Sequence, residues 1–208
     1  MIPVYFETYA IAMLTCFLHT AGPQTRIALY RNDEVIADRA WPSERRESET
    51  LQPAIDAMLR EGGVTAQEVD RLVVCLGPGG FTSTRVGVSA ANAWAFAAGI
   101  PLAGVSFFDL YPHDLVVVIA ANPEEAWVAK PDHDPQWVHL DQLDLPERFS
   151  FTGLPDESWK VALESRGGTW IEQSEQLPDI RGLEFREKPL QPWYYKDPNI
   201  TWSDKNHP

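Results

Sequence analysis

The run from residue 72 to residue 106 limits most strongly what this chain can fold into. Leu72-Val-Val-Cys-Leu76 is apolar without alternation, as in a strand covered on both faces. Gly77-Pro-Gly-Gly-Phe-Thr-Ser-Thr-Arg85-Val-Gly87 follows, then helix-compatible sequence to about Ala98, then a second apolar strand, Leu102–Ser106. Strand, glycine-rich turn, helix and strand make a βαβ crossover, which sets the two strands parallel. The expectation is an α/β protein with this unit at its centre.

The flanking pattern extends the same layer. Leu14–His19, Arg26–Tyr30 and Glu34–Trp41 read as strands, with a hairpin signal at Asn32-Asp33. Leu51, Ala54, Ile55, Met58 and Leu59 fall at helical spacing, with Ser48 as the expected N-cap and Pro53 tolerable near the first turn. Gly62-Gly63 stops that helix, and Thr65 and Glu68 have capping-box spacing. Beyond Phe108 the character changes. Leu115–Ala121, Ala126–Lys130 and Trp137–Leu140 read as short strands and Asp156–Arg166 as a helix. Six of the eight tryptophans (Trp127, Trp137, Trp159, Trp170, Trp193 and Trp202) lie in this half. No repeat is visible. The expected division is an extension over 1–12, a first lobe over 13–108, a trimmed second lobe over 109–187 and an extended, packed arm over 188–208.

Charge narrows the function classes. With 17 basic and 30 acidic residues the 208-residue chain carries −13, which repels a phosphate backbone at long range and argues against strong direct nucleic-acid binding. Cys16 and Cys75 both sit in apolar runs and read as buried free thiols of a reducing compartment, with a disulfide between neighbouring strands as the alternative. Residues 1–18 have no Lys or Arg and are interrupted by Glu7, a poor signal peptide. The charge-free stretch 86–108 is broken at Gly99-Ile100-Pro101, too early for a membrane span. The expected location is cytoplasmic.

The loop is the sharpest chemical feature. Gly77, Gly79, Gly80 and Thr82 precede a helix N-terminus, where free N–H groups and the positive dipole end favour an anion. The sequence is neither a Walker A loop nor G-x-G-x-x-G, and the glycines equally serve a tight turn. The helix from Val86 to Ala98 contains no charge and must be covered on all sides. One side faces the sheet. The other needs the 48–61 helix, the second lobe or another protein. The candidate partner-binding set is Leu51, Ile55, Met58, Leu59, Arg85, Gly87, Ala91 and Trp94. Arg85 suits an acidic partner or a phosphate, or a salt bridge within its own loop. Catalytic patterns are lacking: five scattered histidines, no His-Glu-x-x-His and no G-x-S-x-G. Asp132, His133, Asp134 and His139 form the one local cluster and read as a solvated loop before a metal site.

The 77–87 segment, with Gly99-Ile-Pro-Leu-Ala-Gly-Val-Ser106, resembles the Gly-Pro-Gly-x-Phe-Thr-x-x-Arg-x-Gly signature and following strand of the TsaB (YeaZ-like) family. Ser48-Glu-Thr-Leu-Gln-Pro-Ala-Ile55 is similar to that family's Leu-Leu-Pro helix, and Pro192-Trp-Tyr-Tyr-Lys-Asp-Pro-Asn-Ile200 to its closing segment. The resemblance implies a two-lobed actin/Hsp70/sugar-kinase-like (ribonuclease H-like) fold without catalysis of its own. It implies pairing with a TsaD subunit, which threonylcarbamoylates the tRNA adenosine next to the anticodon, through the two front-lobe helices, which otherwise self-associate as a homodimer. A TsaE ATPase completes such assemblies, a contact the trimmed second lobe leaves open. tRNA is reached only through the partner, and no cofactor is implied beyond ATP or ADP in the partner complex. A kinase-like use of the 77–84 loop for nucleotide, or a degenerate self-associating homolog, is the alternative. His19-Thr20-Ala21 stands where the family has Asp-Thr-Ser/Ala, and Glu47 where it has His. Ala121-Asn-Pro-Glu-Glu-Ala-Trp127 replaces its Ala-Arg-Arg-Gly-Glu-Val-Tyr.

Overall fold

The computed structural model describes residues 12–193; the expectations for 1–11 and for most of the closing arm lie outside the described residues. The chain runs β1 (Leu14–His19), β2 (Gln24–Arg31), β3 (Glu34–Pro42), α1 (Glu47–Glu61), β4 (Arg71–Cys75), α2 (Phe81–Ala98) and β5 (Leu102–Val105). It continues through β6 (Val116–Ala120), β7 (Glu125–Ala129), β8 (Gln136–His139), β9 (Phe149–Leu154), α3 (Glu157–Ser165) and β10 (Gly168–Trp170). The first sheet has the order β3-β2-β1-β4-β5, the second β10-β9-β6-β7-β8. In each, three antiparallel strands come first and two parallel strands are added beside the first of them. The two halves thus share one topology, although the sequence shows no repeat.

Side-chain alternation sorts β1 into two cores, since successive residues point to opposite faces. Cys16 and Leu18 join Ile27, Leu29, Leu72 and Val74 under α1 and α2. Phe17 joins Val73, Cys75 and Val105 on the opposite face, which packs on Val117, Ile119 and Ile180. The far face of the second sheet is closed by α3 through Trp159 and Leu163. The layers are helices, sheet, sheet, helix, and the middle core joins the two halves. Cys16 and Cys75 are buried free thiols on opposite faces, so the disulfide alternative is excluded by the pleat.

Two local expectations need correction. α1 begins at Glu47 behind Arg46, so Ser48 is inside the helix and Pro53 lies past the first turn. Pro53 is tolerated there on the exposed side, where the carbonyl it leaves without a donor meets solvent. The strands β9 and β10 were not anticipated. The capping box of Thr65 and Glu68, by contrast, is formed, and Asn32 turns the β2–β3 hairpin with φ 53°.

The stretch after β10 crosses back over the first half. Tyr30 Oη donates to the Pro178 carbonyl at 3.1 Å, and Arg186 bridges Leu102 on the outer edge of β5. Asn92, one of two polar residues in the otherwise apolar part of α2, donates to the Leu190 carbonyl at 2.8 Å and accepts from the Leu190 N–H at 2.9 Å. Trp193 N–H then donates to the Leu76 carbonyl at 2.7 Å. Among the described residues, no helix is long and apolar enough to cross a membrane.

Candidate functional site

The site forms where the adjacent parallel strands β1 and β4 end, the edge at which open α/β sheets present their binding loops. Two turns meet there, residues 20–23 and 76–80. Gly80 N–H donates to the Ala21 carbonyl at 3.1 Å, and Thr20 Oγ1 donates to the Ser83 carbonyl at 2.6 Å. Any side chain at Gly79 would overlap the Ala21 backbone, and Gly77 holds φ +108°, so both glycines are needed for the turn itself. Gly79, Gly80 and Thr82 face a cleft of about 990 Å³ between the two sheets. Gly77 lies behind them, accepting from Phe107 N–H at 2.8 Å. α2 opens at Gly80 with neither a side-chain cap nor an acidic residue in its first turn, so the chain leaves its positive end unneutralised.

His19 is the last residue of β1, beside the turn at 20–23. Its ring is fully buried, 4.9 Å from Phe107, with Nε2 3.1 Å from Glu175 Oε2. Cys75 is its neighbour, since Leu18 pairs with Val74 in the parallel register. Burial disfavours the imidazolium, but Cys75 and Glu175 outweigh it and lift His19 to about 9. Sequence reasoning missed Glu175 because it sits in a stretch without periodicity and reaches His19 only through the fold.

The proposed partner-binding set divides sharply. Leu51, Ile55, Met58 and Leu59 are at most 3% exposed, and Gly87 and Ala91 are buried as well. These six fill the chain's own core under the first sheet and cannot touch a partner while the fold stands. Arg85 is exposed, its guanidinium 3.9 Å over the Phe81 ring, and Trp94 is half-buried. Beside them lies the side of the charge-free helix turned away from the sheet, which the sequence marked as needing cover without singling out Phe96. Ser89, Ala93, Phe96 and Ala97 continue the face of Arg85 at helical spacing, all exposed, with Phe96 at 90%. Only the position of Phe96 on the far side of the sheet-facing Val88, Ala91 and Ala95 could have revealed it.

The 132–139 cluster is a surface arrangement. His139 lies 2.6 Å from Asp141 and 3.5 Å from Glu124, and His133 contacts the Pro131 carbonyl. Among the described residues no three His, Cys, Asp or Glu side chains meet in a way that could hold a metal ion.

Comparison with known proteins places this geometry. The family model described as TsaD, tRNA N6-adenosine threonylcarbamoyltransferase, matches residues 41–115. The tRNA threonylcarbamoyladenosine biosynthesis protein TsaB of Bacillus subtilis is 35% identical over 89 residues, covering 43% of this chain and 39% of that protein. An uncharacterized protein of Mycobacterium tuberculosis is 32% identical over 119 residues, covering 54% and 56%. The chain spans about half the length of the curated relatives it matches. A crystal structure of a Pseudomonas aeruginosa protein with similarity to the peptidase YeaZ superposes with a TM-score of 0.71 at 17% identity, covering 88% of this chain and 100% of that one. That likeness shows a YeaZ-like mixed α/β fold, consistent with the actin-like, ribonuclease H-like architecture that the resemblance implied.

Proposed function

From the premise that the chain is TsaB/YeaZ-like, we propose that it serves tRNA threonylcarbamoyladenosine biosynthesis as an accessory subunit that docks on a TsaD-like protein. The observation that carries the docking is the outer face of α2. Ser89, Ala93, Phe96 and Ala97 form an exposed, charge-free stripe of small residues around one almost fully exposed phenylalanine. Small residues let a second helix approach closely, and an exposed aromatic ring is the residue type that dominates binding energy at interfaces. Arg85 borders the stripe and suits a carboxylate at its rim. The face contains no basic patch and the chain carries −13, which supports a role in which the partner, not this chain, holds tRNA.

Co-purification with the TsaD-like subunit of the same organism tests the reading. Phe96→Asp should weaken that complex by roughly 30-fold or more while leaving the melting curve unchanged, because the ring touches little of its own fold. Loss of nothing on Phe96→Asp, or no association at micromolar concentrations, would reject it. The same face fits a second copy of the chain. If a homodimer forms in the absence of the partner, light scattering should show Phe96→Asp as a monomer.

A further inference from the structure

Glu47, the first residue of α1, is a buried acid, only 4% exposed. A carboxylate taken out of water needs hydrogen bonds and a counter-charge to offset its lost hydration. The bond it receives comes from the Ser43 hydroxyl, and no ion pair reaches it among the described residues. Its neighbour Arg46 is committed to Glu49, through Nε at 3.1 Å and Nη2 at 2.7 Å. The positive end of α1 supplies about half a charge, which Glu49 in the same turn shares. Beside Glu47, the strands β2 and β3 set Thr25 opposite Trp41 on the face that α1 covers. Thr25 is 0% exposed, and its Oγ1 has no hydrogen-bond partner among the described residues. Thr25, Trp41, Pro42, Ser43 and Glu47 line a cavity of about 190 Å³, with the exposed Glu44 at its rim.

We propose that this pocket receives a lysine side chain of a partner protein, its ammonium on Glu47 and Thr25 and its stem against Trp41. The volume equals that of about six waters, too roomy for a bare ion and right for the end of a side chain. Ser43 bonds Glu47 Oε1, which leaves Oε2 as the one open carboxylate oxygen. A guanidinium fork needs two such oxygens side by side, whereas an ammonium takes single acceptors from different directions. The unpartnered Thr25 hydroxyl is the second acceptor. Trp41, half-buried, and Pro42 offer the apolar flank along which a lysine stem packs while its charged head reaches a polar group. With Arg46 already paired, the open charge of the pocket is negative, and a chain of −13 draws a basic segment toward it. None of these residues belongs to the outer face of α2, so the inference stands apart from the docking reading.

Titration of the full chain with lysine blocked at both backbone ends, followed by NMR at the Trp41 indole N–H, decides it. The expected result is a saturable shift of that resonance at millimolar concentration. Blocked norleucine, which lacks the ammonium, should leave the resonance in place, and blocked arginine should bind more weakly than lysine. Glu47→Gln keeps the shape of the side chain and should weaken binding by roughly tenfold or more, the loss of a charge-assisted bond. If that variant does not fold, Thr25→Val provides the second arm. It matches threonine in shape and should weaken binding severalfold by removing one acceptor. No saturation with blocked lysine would overturn the proposal. So would an equal response to norleucine, or unchanged affinity in folded Glu47→Gln or Thr25→Val. Tighter binding of butylamine than of blocked lysine would overturn it too, since the pocket would then serve a free amine.

Discussion

His19 shows how one residue can reverse the chemistry expected at the end of a strand. Its imidazole is enclosed by Phe17, Phe107 and Cys75 and paired with Glu175, with Arg26 opposite it on β2. Its folded value, about 9, lies above the ordinary 6.5. The pair's contribution to stability is therefore complete below 6.5 and is lost as pH rises through about 9. Urea midpoints measured between those two values should fall with rising pH, and His19→Gln should flatten that slope. A slope unchanged in the variant would assign it to other groups. The thiols are a second test at this scale. Burial pushes Cys16 up to about 12, and Cys75 is 1% exposed, so neither should react with a thiol reagent until the chain unfolds.

At the scale of elements, α1 is amphipathic whereas α2 carries no charge after Arg85, yet both pack on the first sheet. An amphipathic or apolar stripe states that a face is covered, and does not state by what. For Leu51, Ile55, Met58 and Leu59 the cover is the chain's own first sheet, which is why the spacing suggested a partner surface where the fold has a core. Met58→Ala should cost about 2–5 kcal/mol in denaturant unfolding, because it opens a cavity at a fully buried site. The strands β1–β5 and both front helices were legible because each carries its own periodicity and its own stop signal. β9 and β10 were not, since Phe149-Ser-Phe-Thr-Gly-Leu154 is recruited by parallel pairing with β6, and Gly168-Thr-Trp170 by parallel pairing with β9, rather than by local pattern. Asn92 falls in the same class. Its partner, Leu190, is remote in sequence, and a polar residue in an apolar helix gave no sign of it. Asn92→Ala should cost about 1–3 kcal/mol for two lost bonds and an unsatisfied peptide, and should speed hydrogen exchange at the Leu190 amide.

Across the whole molecule the two halves repeat one strand order with unequal cover. The first sheet has α1 and α2 on its outer face. The second has α3, with Leu140, Leu143 and Leu145 from the loop before β9 filling in. The candidate surfaces divide likewise. The α2 stripe and the Glu47 pocket belong to the front half alone, whereas the cleft takes turns from the first sheet and Trp127 and Trp137 from the second. The glycine-rich turn was visible in sequence because its conformation demands particular residues. The side of the cleft that those tryptophans line was visible only as an unexplained excess of tryptophan. An acidic molecule of this form should not retain tRNA on its own at physiological salt, and a gel-shift with the isolated chain measures that directly.

The strap that lays Arg186 along the edge of β5, Leu190 into the core under α2 and Trp193 across the end of β4 has a consequence for synthesis. A nascent front half leaving the ribosome has an open sheet edge and an unfilled gap until residues 186–193 have been made. The glycine-rich turn reaches its finished surroundings only once that strap is in place, so a product stalled before it would present that edge to whatever chain it met first.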